Sequence, residues 1–343
     1  MGCLSPSPAP ARLRGRVRGV GLALTGSLLL ACQDSTAPAV DGDPPPGQIA
    51  FVAGTPGTAP STTDLYLIGA DGRGLAQLTT TPGVGERSPT WSRDGQRLGF
   101  SGLGGAWYDM NIDGADVRAL PARLPGVRSP DGARLAYSRI VTYADGQRAA
   151  TLFVANADGS GAAPVAAARP SPCASPCAVI DQIDWAPDGR RVVYQQRVAG
   201  TGGANTGDLY VADADGSTGA VQLTSELGLE TEPRWSPDGQ RIAFVLTCGC
   251  ITGVASEVYV INVDGTASTP LTARSASGPR SYRYLSWSPD GRWLAVAQKG
   301  TGDDDAPALY ALSVEVPGTP ARRIAAPAGG VLETAWRPAA AAP

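Results

Sequence analysis

The chain has 343 residues, of which 43% are hydrophobic, 17% charged and 6% aromatic, with 44 Gly, 30 Pro and no histidine. Without imidazole there is no Ser-His-Asp triad, no Cys-His pair and no His-ligated zinc or iron, and Lys299 is the only candidate for Schiff-base chemistry. A formal charge of −3 argues against nucleic acid or an anionic membrane surface as the main partner.

Arg12, Arg14, Arg16 and Arg18 precede an apolar run from Val20 to Leu30 that is too short to span a bilayer. Residues 1–31 therefore read as a secretory signal peptide. The run ends Leu29-Leu30-Ala31-Cys32, which resembles a bacterial lipobox. That resemblance implies cleavage before Cys32, lipidation of its thiol and attachment to a membrane through the N-terminal lipid. Removing four arginines leaves the exported chain more acidic. Residues 32–47, the lipidated Cys and QDSTAPAVDGDPPPG, offer almost nothing to bury and read as a disordered tether. Gln33 after the cysteine resembles the sorting pattern of an outer-membrane lipoprotein in the cell envelope, with its periplasmic or surface orientation open.

Residues 48–338 are built from one repeating unit. Trp235-Ser236-Pro237-Asp238-Gly239 is the clearest copy; Trp91, Trp185 and Trp287 head close relatives, Arg128 replaces the Trp before Ser129-Pro130-Asp131-Gly132, and Trp336 begins a truncated sixth. The five intervals from Trp91 to Trp336 average 49 residues. A second motif alternates with the first, as in Leu65-Tyr66-Leu67 before Asp71-Gly72 and Val258-Tyr259-Val260 before Asp264-Gly265. Ser-Pro-Asp-Gly is a tight turn: Pro sets φ, Asp caps the turn backbone and Gly takes the left-handed position. The apolar runs flanking it are strands.

Each unit thus predicts four short antiparallel strands, and six such units predict an all-β, six-bladed β-propeller. Gln48–Val52 is a second strand lacking its first, and Leu332–Trp336 is a first strand lacking its second. The C-terminal strand is therefore expected to join the N-terminal blade and close the ring, leaving residues 339–343 as a disordered tail.

The Trp-Ser-Pro-Asp-Gly-x-x-Ile-Ala-Phe unit at Trp235–Phe244 resembles the propeller repeat of TolB, the periplasmic partner in the Tol-Pal envelope system, and of prolyl oligopeptidase-type peptidases. The resemblance covers about residues 48–338 and is specific for fold, weak for function. It departs from both families. The tether is too short for TolB's additional N-terminal α/β domain, and neither a hydrolase domain nor a Gly-x-Ser-x-Gly elbow is found.

The loops entering each Trp strand and those joining second to third strands share one face and hold the length variation, which makes that face the expected binding surface. Glu86, Asp181, Asp184, Glu230, Glu232 and Glu333 lie within five residues of the Trp positions at its pore end, interleaved with Arg87 and Arg283. Tyr282 and Tyr284 flank Arg283 as candidate contacts. These residues suit a basic segment of a partner or a Ca²⁺ ion; surface ion pairing is the plainer alternative. Cys173, Cys177, Cys248 and Cys250 are disulfide candidates in an oxidising compartment, with local and cross-loop pairing both open. The expected function is a monomeric, non-enzymatic scaffold that binds an envelope protein or peptide without a cofactor. The alternative is a Ca²⁺-dependent lactonase- or esterase-like propeller with pore carboxylates.

Overall fold

The computed structural model describes residues 45–54, 62–80, 85–121, 124–144, 148–167, 178–199, 205–225, 228–248, 255–272, 280–299 and 306–339. The chain divides into two units, Met1–Ala39 and Val40–Pro343; the first, with the expected signal peptide and Cys32, lies outside the described residues, as do Cys173, Cys177, Cys250 and the expected tail from 340.

The second unit is six blades of antiparallel strands. The first blade contains β1 (Gln48–Gly54), β2 (Thr63–Gly69) and β3 (Ala76–Gln77). The second has β4 (Arg87–Trp91), β5 (Arg97–Ser101), β6 (Trp107–Asn111) and β7 (Arg118–Leu120). The third has β8 (Val127–Arg128), β9 (Arg134–Thr142), β10 (Arg148–Asn156) and β11 (Ala163–Ala167). The fourth has β12 (Ala178–Trp185), β13 (Arg191–Ala199), β14 (Asn205–Asp213) and β15 (Val221–Gln222). The fifth has β16 (Leu229–Trp235), β17 (Arg241–Cys248), β18 (Ala255–Asn262) and β19 (Thr269–Pro270). The sixth has β20 (Ser281–Trp287), β21 (Trp293–Lys299), β22 (Ala308–Ser313) and β23 (Arg322–Ala325). The last strand, β24 (Gly329–Trp336), returns to the first blade and pairs with β1 from Ile49↔Trp336 to Gly54↔Gly329, giving the order β24-β1-β2-β3. The first and last strands of the ring are thus joined by backbone hydrogen bonds, as the sequence pattern predicts.

The turns follow the residue chemistry. Ser236 Oγ bonds Asp238 Oδ1 at 2.5 Å, Asp238 Oδ1 accepts the Gln240 N–H at 3.0 Å, and Ser236 Oγ accepts the Arg241 N–H at 2.9 Å. Gly239 sits at φ 70°, a conformation that any Cβ would strain. The same network recurs at Ser92–Asp94, Ser129–Asp131 and Ser288–Asp290. At the outer edge, Thr79, Thr224 and Thr272 hydroxyls accept the N–H groups of Leu65, Leu209 and Val258 at 2.9, 2.9 and 3.0 Å, satisfying donors where the short fourth strand ends.

The core lies between blades. Five buried apolar clusters fill the junctions sixth/first, first/second, third/fourth, fourth/fifth and fifth/sixth. Alternation along β17 shows why a blade serves two neighbours: Ile242 and Phe244 face the fourth blade while Ala243 and Val245 face the sixth. Three motif Trp side chains also reach the preceding blade, with Trp91, Trp185 and Trp287 Nε1 donating to the carbonyls of Ala335, Val127 and Arg234 at 3.0, 2.9 and 2.9 Å, whereas Trp336 Nε1 donates to Pro46 of its own blade at 2.9 Å. An arginine of that preceding blade lies over the ring: Arg337 on Trp91, Arg134 on Trp185, Arg191 on Trp235 and Arg241 on Trp287, at 5.0–5.6 Å.

Candidate functional site

The inner strands β4, β12, β16, β20 and β24 surround the pore, and four of them break their regular pairing at one repeated place. The register shifts between Arg87 and Thr90, Asp181 and Asp184, Thr231 and Arg234, and Arg283 and Ser286. Three residues before each motif Trp, Ser88, Gln182, Glu232 and Tyr284 take φ of 55°, 50°, 56° and 60°. Left-handed backbone at four non-glycine residues costs of order 1 kcal/mol or more each and persists only where surrounding contacts hold it. The bulge turns the following strand segment by one residue, so inward and outward positions exchange across it.

What holds these bulges is a relay of hydrogen bonds from blade to blade. Glu333 accepts the N–H of Ser88, Gln182 Oε1 accepts the N–H of Glu232, and Glu232 accepts the N–H of Tyr284 and, at 3.3 Å, that of Leu285. Thr334 Oγ1 donates to the Tyr284 carbonyl at 2.5 Å and meets Ser286 Oγ at 3.0 Å. Burial pushes the Glu333 carboxyl up, with the Ser88 N–H and Arg87 pulling it down and Glu232 pushing it up again. Asp184, one residue before its Trp, accepts the Trp235 N–H at 2.8 Å. Burial raises its pKa, opposed first by Arg234.

The predicted site residues therefore separate. Glu232 and Glu333 lie on the inner strands β16 and β24, and their carboxylates are engaged with backbone N–H groups of the next blade. Glu86 and Glu230 are 1% and 0% exposed, with Glu86 tied to Thr63 through both backbone groups and Glu230 accepting from Gln195 Nε2 at its carbonyl. Asp181 pairs with Arg197 at 2.6 Å. Tyr282 is buried in the fifth/sixth-blade cluster, and Tyr284 is half-buried beside the sixth/first-blade cluster. Arg87 and Arg283 are exposed. The rim thus leaves Arg87 and Arg283 exposed, while the carboxylates of Glu232, Glu333 and Asp184 hold backbone N–H groups. Gln182 and Ser88 complete the relay and were missed because a lone Gln or Ser carries no chemical signature; their common spacing from the Trp does. Cys248 ends β17.

Among the described residues no group of three or more Cys, Asp or Glu is arranged to hold a metal ion. A cavity of about 500 Å³ opens at the opposite, turn-bearing end, between Pro46, Gln48, Asp94, Pro289, Asp290 and Arg337.

Blades joined through Trp staples, a first blade completed by the last strand, and a relay of bulges around a pore define a β-propeller. Residues 124–306, more than half of the chain, match the TolB beta propeller domain family, and the chain belongs to that family. Among solved structures, TolB from Acinetobacter baumannii superposes with a TM-score of 0.58 at 19% identity, covering 85% of this chain and 67% of that one. Among curated proteins, the uncharacterized peptidase YuxL of Bacillus subtilis is 30% identical over 113 residues, 33% of this chain and 16% of its own length. The Tol-Pal system protein TolB of Francisella tularensis subsp. mediasiatica is 28% identical over 141 residues, 40% of this chain and 29% of its own. The chain spans less than a third of either relative.

Proposed function

We propose that this protein is a lipid-anchored, non-enzymatic scaffold of the cell envelope that binds a protein or peptide at the loop-bearing rim of its pore. The observation that carries the reading is the rim itself: Glu232 and Glu333 hold backbone N–H groups of neighbouring inner strands, while Arg87 and Arg283 are exposed and available for contact. Membership in the TolB propeller family and likeness to a Tol-Pal system protein support an envelope setting. The absence of histidine supports a binding role over acid–base catalysis.

The test is cross-linked capture from envelope extract by the protein with Cys32→Ser, compared with the same protein carrying Arg87→Ala and Arg283→Ala. The expected result is capture of a specific envelope protein that falls about tenfold or more in the double variant, with an unchanged melting temperature. Equal capture by both proteins, or capture of nothing above background, would overturn the reading.

A further inference from the structure

The third blade departs from the others at its innermost position. Inner strands elsewhere run five to eight residues, whereas β8 is Val127–Arg128 alone. Its neighbour β9 is nine residues long, yet pairs with β8 only at Leu135 and Ala136. On its other side β9 is paired with β10 along its whole length, from Arg134↔Asn156 to Arg148↔Thr142. Beyond Ala136, then, no strand is backbone-paired with the pore-facing edge of β9 among the described residues, although the Ser138 side chain donates to the Ile180 carbonyl of β12 at 2.6 Å.

The direction of its free groups follows from alternation. The Arg134 carbonyl accepts the Ser129 N–H on the inner side, and the Ala133 carbonyl accepts the Ala157 N–H on the outer side. Ser138, Ile140 and Thr142 therefore aim both N–H and C=O toward the pore. Exposure agrees. Residues at the place of Ser138 in four other blades, Val52, Gln195, Val245 and Ala297, are 0–2% exposed and Ser101 of the second blade is half-buried, while Ser138, Arg139, Ile140 and Thr142 are exposed, Ile140 at 40%.

The bulge relay is interrupted at the same place. The residue three before Arg128 is Pro125, whose side chain has no acceptor to offer the N–H of Gln182 in the next blade. At the corresponding position Glu333 serves Ser88, Gln182 serves Glu232 and Glu232 serves Tyr284.

We propose that the open edge of β9 is a strand-addition site, at which an extended peptide segment of a partner enters antiparallel to β9 in line with β8 and supplies a carboxylate or amide side chain opposite Gln182. Main-chain bonds to Ser138, Ile140 and Thr142 provide affinity, and the acceptor position provides selectivity. Exposed Arg87 of the preceding blade and Arg139 of β9 favour an acidic occupant. The proposal rests on the reading of the rim as a binding surface and names the chemistry that it recognises.

The experiment uses the full chain in detergent and a short synthetic peptide of alternating Thr and Val with one central Glu. Expected are slowed hydrogen exchange at Ser138, Ile140 and Thr142, and about tenfold weaker binding when the Glu is replaced by Lys or when edge-facing peptide amides are N-methylated. Ile140→Pro removes a donor that the β9–β10 ladder does not use and should weaken binding by a similar factor without loss of the fold. The N-methylated peptide tests the same bonds on unaltered protein. No binding, undiminished binding of the N-methylated peptide, or protection at another strand edge overturns the proposal. If envelope capture persists equally in Ile140→Pro while the peptide fails, the edge proposal falls and the scaffold reading stands; loss of capture by every form removes the scaffold reading itself.

Discussion

The junction between the fifth and sixth blades and that between the second and third are built from the same repeat, yet only one is completed. At the former, Trp287 donates to the Arg234 carbonyl, Arg241 lies 5.4 Å from its ring, and Ala243, Val245, Val258 and Val260 pack against the sixth blade. At the latter, Arg128 stands where the Trp should be and turns back to its own blade, donating to the carbonyls of Gly132 and Ala157 at 3.4 Å. Arg97, the counterpart of Arg241, has no ring to cover and instead pairs with Asp109 at 2.6 Å and Asp116 at 3.0 Å. Gly99, Ser101 and Asp109 occupy the places of Ala243, Val245 and Val260 on the face turned to the third blade. The Tyr137–Phe153 stack, which in other blades would face an apolar neighbour, is capped by Arg139 at 4.2 Å from Phe153. Among the described residues no buried apolar cluster spans this junction. The missing Trp thus coincides with changes in all its partners: the arginine pairs with acids, the face is polar, and the inner strand is short.

The contrast is sharpest in truncation. Trp287→Ala should cost ~3–5 kcal/mol through the cavity it leaves, whereas Arg128→Ala should cost no more than ~1 kcal/mol, both read from denaturant midpoints; equal losses would erase the distinction between the two junctions. Repair should give a smaller effect. Arg128→Trp restores a ring for Arg97 and a donor toward the second blade, and should stabilise by ~1–2 kcal/mol; an unchanged midpoint would assign the weakness to the polar face around Asp109.

The smallest effect concerns what the junctions share. Hydrogen bonds from Ser92 and from Ser129 to their turn aspartates, then backbone N–H groups, hold Asp94 and Asp131 below the ordinary value of 3.8. A depressed folded-state pKa contributes stability above 3.8 that is lost as pH falls through the lower folded values. The melting temperature should therefore drop on acidification below about 3.8, by less in Asp131→Asn. An unaltered acid limb in that variant would show that the turn carries none of this dependence.

Much of the fold is legible in the sequence. The Ser-Pro-Asp-Gly turns, the strands beside them and the return of Leu332–Trp336 to the first blade follow from local preferences and from the phase of the repeat. The site was legible only in part. Acids near each Trp pointed to the pore, but strict two-residue alternation fails across a bulge, so Glu86 and Glu230 are buried while Glu232 and Glu333 are half-buried and bonded to backbone of the next blade. Tyr282 has the composition of a contact residue and is 4% exposed, because β20 turns it into the apolar packing between the fifth and sixth blades.

The sequence by itself determined the repeating unit, its turn chemistry and the topology that joins the two ends, because these rest on interactions between residues close in the chain or on a period that any copy displays. Only the tertiary structure decided which polar side chains hold backbone and which face outward. A left-handed residue such as Glu232 is stabilised by Gln182 fifty residues earlier and in turn stabilises Tyr284 fifty-two residues later. Such a role belongs to a pair of neighbouring blades, and no blade read alone contains it.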